Sequence, residues 1–204
     1  MVKKLLMVRK KSIFRGDYSM DYKKTGIIDI NKVVLPQNWE ELTRFFPVIE
    51  CIEKIPCNPC SWCCPKEAIT IQGDITNLPE IDFDKCTGCA ICAGKCPGLA
   101  IFLVNPNFDE QYSAIIMPYE FRPLPVENQK VTLIDRHGNE RGNGEVVKIR
   151  LSSAFEKTPL VTVKVPKELI MEIRHIRAIK KSGKSGFRDS GKTWEEQLAQ
   201  QVAN

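Results

Sequence analysis

Cysteine is the residue type here whose numbers and spacing could do chemistry. The segment Cys86-Thr87-Gly88-Cys89-Ala90-Ile91-Cys92-Ala93-Gly94-Lys95-Cys96-Pro97 has the form C-x2-C-x2-C-x3-C-P. That spacing wraps three thiolates around a cubane iron–sulfur cluster and sends the fourth elsewhere. Cys57, Cys60 and Cys64-Pro65 lie earlier, and an offset of 32 carries them onto Cys89, Cys92 and Cys96-Pro97. The same offset carries Ala68-Ile69 onto Ala100-Ile101, so the ligand pattern is an internal duplication.

In a two-cluster arrangement the fourth cysteine of each run binds the other run's cluster. Cys64, Cys86, Cys89 and Cys92 then hold one [4Fe–4S] cluster, while Cys57, Cys60 and Cys96 supply three corners of a second. The repeat places Lys54 where the fourth ligand of the second should be, and lysine cannot bind the iron. Cys51 is the free candidate, delivered by the short strand read at Val48-Ile49-Glu50-Cys51-Ile52. Without it that cluster would lose one iron or fail to form. The ninth cysteine, Cys63, reads as a packed or free thiol, because using it as a ligand would leave Cys64 without a spacer and lose the repeat.

Zinc is the competing metal, but paired knuckles use four thiolates and need neither a third cysteine at x2 nor a Cys-Pro at x3. Disulfides are disfavoured by the close spacing and the lack of a secretory signal. The apolar start Leu5-Leu6-Met7-Val8 is broken by Arg9-Lys10-Lys11, so no membrane span is expected and the location reads as cytoplasmic. The formal charge is +5, from 30 basic and 25 acidic residues. Two oxidised clusters with eight thiolates would contribute roughly −4, giving a holoprotein near +1. The basic balance is therefore weak support for nucleic acid, and no nucleic-acid partner is expected. Arg174, Arg177, Lys180, Lys181, Lys184, Arg188 and Lys192 form a basic stretch with few aromatics, suited to solvent or a partner surface. His137 and His175 have no second histidine or cysteine nearby at metal spacing, and they read as surface or packing residues.

The elements that must position the cysteines suggest an α+β protein in four blocks. Residues 1–50 are an N-terminal extension, with a strand read at Gly26–Ile30 and a short helix at Asn38–Phe46 ended by Pro47. Residues 51–105 are a dicluster ferredoxin-like domain, in which each Cys-Pro is followed by a helical turn and an apolar strand, Ala68–Ile71 and Ala100–Val104. Residues 106–180 carry β-branched runs: Ser113–Pro118, Val131–Asp135 turning through Arg136–Asn139 into Gly144–Arg150, and Leu160–Val165. A helix is read from Pro166 through Ile176, and the block suggests a small SH3-like β-barrel for docking. Residues 181–204 are a tail, with a capping box at Thr193-Trp194-Glu195-Glu196 opening a helix to Val202. Trp194 suits a partner anchor or packing on its own domain equally.

No dinucleotide fingerprint, P-loop or nucleophile–base constellation is present, so the chain has no catalytic residues of its own to offer. It reads as a carrier of single electrons. The stretch Glu50–Val104, with Ile55-Pro56-Cys57-Asn58-Pro59-Cys60 and Lys85-Cys86-Thr87-Gly88-Cys89, resembles small ferredoxin-type subunits of multi-subunit flavin-dependent proline and hydroxyproline dehydrogenases. Gly142–Ile176, with Gly144-Glu145-Val146-Val147-Lys148 and Val165-Pro166-Lys167-Glu168-Leu169, is similar to them too. The resemblance implies a hetero-oligomer in which FAD or FMN sits on partner subunits and a companion flavoprotein oxidises the C–N bond of an amino or imino acid. The clusters would pass electrons to another flavin, an NAD-linked subunit or an external acceptor. Two other hosts remain open. One is a further anaerobic oxidoreductase with a ferredoxin-like subunit; the other is a zinc-stabilised nucleic-acid or scaffold module.

Overall fold

Runs of Val, Ile, Leu and Phe set most of the architecture, because β-branched and aromatic side chains suit a pleated, half-buried surface. The computed structural model describes residues 21–178. The tail helix read at Trp194–Val202, the basic residues from Lys180 onward and the first twenty residues lie outside the described residues. The protein is mostly β. Its main sheet holds β1 (Phe46–Ile49), β4 (Ile101–Asn105), β5 (Tyr112–Pro118), β6 (Lys130–Asp135), β7 (Glu140–Arg150), β8 (Leu160–Pro166) and β9 (Ile173–Ala178). The order is β1-β4-β5-β8-β7-β6-β9, and every pairing is antiparallel. A separate hairpin pairs β2 (Ile69–Thr70) with β3 (Glu80–Ile81). The helices are short: α1 (Asp21–Thr25), α2 (Pro59–Trp62) and α3 (Ile91–Lys95). No helix among the described residues is long and apolar enough to cross a membrane.

The sheet serves two cores because successive side chains on a strand point to opposite faces. Along β4, Phe102 and Val104 join one core with Ile115, Met117, Val161, Val163, Leu133 and Ile176. Ile101 and Leu103 face the other way, toward Ile116, Leu160, Phe155 and the α3 residues Cys92 and Ala93. The first core draws on both end strands, Phe46 and Val48 of β1 and Ile173 and Ile176 of β9, so the sheet curls around it. The sheet also takes β1 and β4 from the blocks preceding residue 106, and those blocks share its hydrogen bonds.

Two contacts lock the cysteine-rich lobe to the sheet. A Cβ at Gly94 of α3 would stand 2.6 Å from the Phe155 Cβ, so the helix rests on that ring with no room for a methyl group. The other contact is a buried ion cluster at the end of β1. Glu50 is 8% exposed and accepts from Arg136 and, at 2.7 Å, from Arg174 Nε. Arg174 also lies over the Phe102 ring, 5.0 Å from its centroid, and donates to the Ile173 carbonyl at 2.5 Å. Burial lowers its pKa to about 10, which leaves it charged at neutral pH.

Three elements differ from the sequence reading. The helix expected from Pro166 to Ile176 is a 3-10 turn, Lys167–Leu169, followed by β9. Leu169, Ile170, Ile173 and Ile176 repeat like a helix face, but a register shift opposite Ile134/Asp135 turns both Ile173 and Ile176 inward on a strand. The helix expected at Asn38–Phe46 is only a 3-10 turn at Trp39–Glu41, and Phe46 and Pro47 open β1. Proline is tolerated there because β1 is an edge strand. Gly26–Ile30 forms no strand; Ile30–Lys32 is a 3-10 turn capped by the Asp29 carboxylate.

Two stability measurements check these locks. Glu50→Ala leaves two arginines buried without their counter-ion and is expected to lower unfolding free energy in urea by about 3–5 kcal/mol; a loss under about 1 kcal/mol would remove the ion cluster from the account. Gly94→Ala forces α3 off Phe155 and is expected to cost about 1–3 kcal/mol in the same assay, with Phe155→Leu in the same chain recovering part of it.

Candidate metal centre

Each cysteine is placed by an identifiable local device. The Glu50 N–H donates to the Ala100 carbonyl at 2.8 Å, extending the β1–β4 ladder by one step and presenting Cys51 just beyond it. Cys57 is fixed by its N–H to the Ile75 carbonyl at 3.4 Å. Cys60 sits in α2, which Pro59 opens, and Cys63 caps its end. Cys92 lies in α3 and Cys96 caps it. Between Cys86 and Cys89 the chain turns at Gly88 with φ +70°, where a Cβ would stand 2.5 Å from the Phe45 carbonyl oxygen. Only glycine meets both demands.

The thiols gather in two groups. Cys51 is acted on electrostatically by Cys96 and Cys57, and Cys60 by Cys96, Cys51 and Cys57. Cys86 is acted on by Cys89 and Cys64, and Cys92 by Cys63 first and then by Cys89 and Cys86. A recess of about 370 Å³, its open mouth included, is lined by Cys64, Cys86, Cys89 and Cys92 together. The weaker action of Cys60 on Cys92 shows that the two groups adjoin. Cys63 stands at the edge of the second, beside Cys64, Cys89 and Cys92, and its Sγ donates to the Cys60 carbonyl at 3.6 Å. Burial, with the neighbouring Cys64 sulfur, pushes its thiol up to about 11.

Backbone N–H groups point at several of the sulfurs and repeat with the ligands. Ala68 N donates to Cys64 Sγ at 3.3 Å, and Ala100 N to Cys96 Sγ at 3.4 Å, the same bond at the same offset. Glu53, Ser61 and Gly88 supply equivalent donors to Cys51, Cys60 and Cys86. Against these donors, burial favours the protonated thiol at Cys51, Cys60, Cys86 and Cys92. It pushes Cys51 and Cys86 upward and Cys60 to about 12, and drives Cys92 well above the ordinary thiol range. Thiols crowded in this way give up their protons to a cationic core, because metal binding is coupled to proton release.

That donor set fits an iron–sulfur cluster. Among the described residues no three His, Cys, Asp or Glu side chains converge as a single ion would require. Zinc draws its sulfurs to about 2.3 Å from one point. A core of several iron and sulfide atoms accepts sulfurs spread around a larger body. His137 and His175 stand apart: His137 N donates to the Asp135 carboxylate at 2.8 Å, and His175 stacks on Tyr119 with centroids 5.7 Å apart.

Two arginines that cysteine spacing gave no reason to single out reach the second group. Arg44 donates to the Cys86 and Phe83 carbonyls, each at 3.0 Å. Arg150, the last residue of β7, donates to the Cys89 carbonyl at 3.2 Å, and its guanidinium lies 5.5 Å from the Phe155 ring centroid. No sequence motif marks either, since they come together with the loop only through the sheet.

Comparison with known proteins bears on the cysteine runs. Residues 79–102, which contain Cys86, Cys89, Cys92 and Cys96, match the Fer4 family, a 4Fe–4S binding domain. The chain is 38% identical over 64 residues to the pyruvate synthase subunit PorD of Methanothermobacter marburgensis, spanning 31% of this chain and 68% of that protein. It is 39% identical over 61 residues to the subunit of the same name from Methanocaldococcus jannaschii, spanning 30% and 69%. No solved structure matches the chain at a significant level. With ferredoxin-type cysteine spacing, a matching 4Fe–4S binding domain and more than two thirds of each relative covered, the chain belongs to the family of these PorD subunits.

Proposed function

We propose that the protein is a two-cluster electron-transfer subunit of an oxidoreductase complex, working in the reducing environment of the cytoplasm. The observation that carries this is the gathering of eight cysteines into two adjoining groups, each completed by a cysteine from the other half of the repeat. In this reading Cys51, Cys57, Cys60 and Cys96 hold one [4Fe–4S] cluster, and Cys64, Cys86, Cys89 and Cys92 hold the other. When bound, such clusters take up and release single electrons. The residues of the chain do the rest. Backbone N–H groups steady negative charge on the sulfurs, Gly88 lets the loop close, and the sheet supports both lobes. The curled sheet, a small barrel-like module in this reading, serves with residues 21–50 as the docking platform. Ile55 and Trp62 stand 54% and 80% exposed beside the first group, as expected where a protein partner covers them.

The host dehydrogenase has two candidates. The resemblance over Glu50–Val104 and Gly142–Ile176 favours a flavoprotein that oxidises proline-type amino or imino acids, its FAD or FMN staying on the partner and an NAD-linked or flavin subunit accepting further on. The similarity to PorD favours a companion that acts on pyruvate. In both, electrons leave the substrate in pairs and pass through this subunit singly.

Anaerobic purification with iron and acid-labile sulfide analysis is expected to give about eight irons per chain, and Cys51→Ser about four or a three-iron signal. Full iron in Cys51→Ser would remove Cys51 from the ligand set, and zinc without sulfide would end the electron-transfer reading. For the host, the complex is purified through the tagged chain and its cluster absorbance followed. Bleaching by proline or hydroxyproline but not pyruvate identifies the first host, and the reverse identifies the second. Isolation without any dehydrogenase at low salt would count against the subunit assignment.

A further inference from the structure

The two cysteine groups repeat each other in spacing but differ in the charges placed around them. On the second group, Arg44 and Arg150 each donate to a ligand-loop carbonyl, at Cys86 and Cys89. Arg44 acts electrostatically on Cys86, and Arg150 interacts with Cys89. Arg150 Nη2 is buried and has no hydrogen-bond partner among the described residues, and no carboxylate among them pairs with this partly buried cation. Lys95 also lies near Cys63 but is paired with Glu156 at 2.5 Å.

Among the described residues no guanidinium donates to a cysteine carbonyl of the first group. Among the described residues, the largest charge effects on Cys51 and Cys60 come from neighbouring sulfurs, with the Glu53 carboxylate adding to them at Cys51. Arg136 and Arg174 share the Glu50 carboxylate and donate to the carbonyls of Met171 and Ile173; Arg174 Nη2 is also buried without a partner, but neither arginine donates to a cysteine carbonyl. An added electron is negative charge, and a cation fixed nearby favours it, more strongly for the partly buried Arg150 than for the exposed Arg44, whose field water screens.

We infer that Arg44 and Arg150 make the two centres inequivalent, so that the centre held by Cys64, Cys86, Cys89 and Cys92 has the higher reduction potential and is where a single electron comes to rest. This rests on the two-cluster reading above. An electron supplied by the companion dehydrogenase and passing from the first centre to the second oxidises the one and reduces the other by one unit. No bond is made or broken and no proton moves. Arg44 and Arg150 act through the loop as positioning and field-setting residues, without touching substrate.

The test is an anaerobic redox titration of the full chain followed by electron paramagnetic resonance, with iron and sulfide counted in every sample. Wild type is expected to show two separate potentials. Arg150→Gln and Arg44→Gln each lower the higher one, changing the ratio of reduced to oxidised centre about tenfold at fixed potential, or about 59 mV. Arg150→Lys and Arg44→Lys, which keep the charge, restore most of it. Glu53→Lys, at an exposed position that does not endanger assembly, raises the lower potential and narrows the gap. Equal wild-type potentials at full iron content would overturn the inference, as would Gln variants that move neither centre or different centres, or a gap that Glu53→Lys leaves unchanged. About four irons in wild type would overturn the two-cluster reading itself.

Discussion

The alternation of side chains along β4 is the constraint on which the rest of the structure depends. Phe102 and Val104 enter the core of the curled sheet, while Ile101 and Leu103 form the floor beneath α3 and its buried Cys92. A one-residue slip would exchange the two faces, placing Phe102 against the cysteine lobe and Leu103 in the sheet interior. The register is pinned from both sides, by Phe46↔Val104 and Ile49↔Ile101 on β1 and by Leu103↔Ile116 on β5. The cysteine lobe is thereby fixed to the sheet through a strand that neither part could give up. Small iron–sulfur domains have little hydrophobic core of their own, and here the sheet supplies a good part of it.

Burying Glu50 with two arginines appears wasteful beside a hydrophobic alternative, because desolvating charges often cancels their attraction. Its position explains its use. Glu50 is the last residue held by the β1–β4 ladder before Cys51, and its carboxylate reaches Arg136 after β6 and Arg174 on β9. Apolar contact would hold this junction without direction. Charge-assisted hydrogen bonds set the angle at which the chain leaves the sheet, and so where the Cys51 sulfur goes.

Much of this was legible in the sequence wherever local chemistry decides structure. The β-branched runs at 113–118, 131–135, 144–150 and 160–165 all fall within strands, and the turn between β6 and β7 has Gly138 at φ +82° with the Asp135 carboxylate accepting from His137 and Asn139. The 32-residue repeat singled out Cys51 as the candidate for the missing corner, a proposal that its nearness to Cys57 and Cys96 supports. What could not be read depends on long-range pairing. The apolar spacing of 169–176 imitates a helix because a register shift in β9 brings residues three apart onto one face. Arg44, Arg150 and Glu50 carry no local signature, since each gains its role from a partner 42 to 124 residues away.

The duplicated ligands would by themselves give two like halves, and the sheet is what makes them unlike. α3 lies on Phe155 and β4 with Cys92, Ala93 and Gly94 buried, whereas α2 buries none of its residues and turns Trp62 outward. The half on the sheet has Cys92 buried while Cys89 is exposed, and it receives guanidinium groups from the exposed Arg44 before β1 and the partly buried Arg150 at the end of β7. The other half is less enclosed: Ile69 and Cys60 reach the same core, but Ile55 and Trp62 are left exposed. Partial burial strengthens the field of Arg150, whereas solvent screens that of Arg44. The sequence repeat is therefore attached to the sheet unequally, α3 burying three of its residues and α2 none.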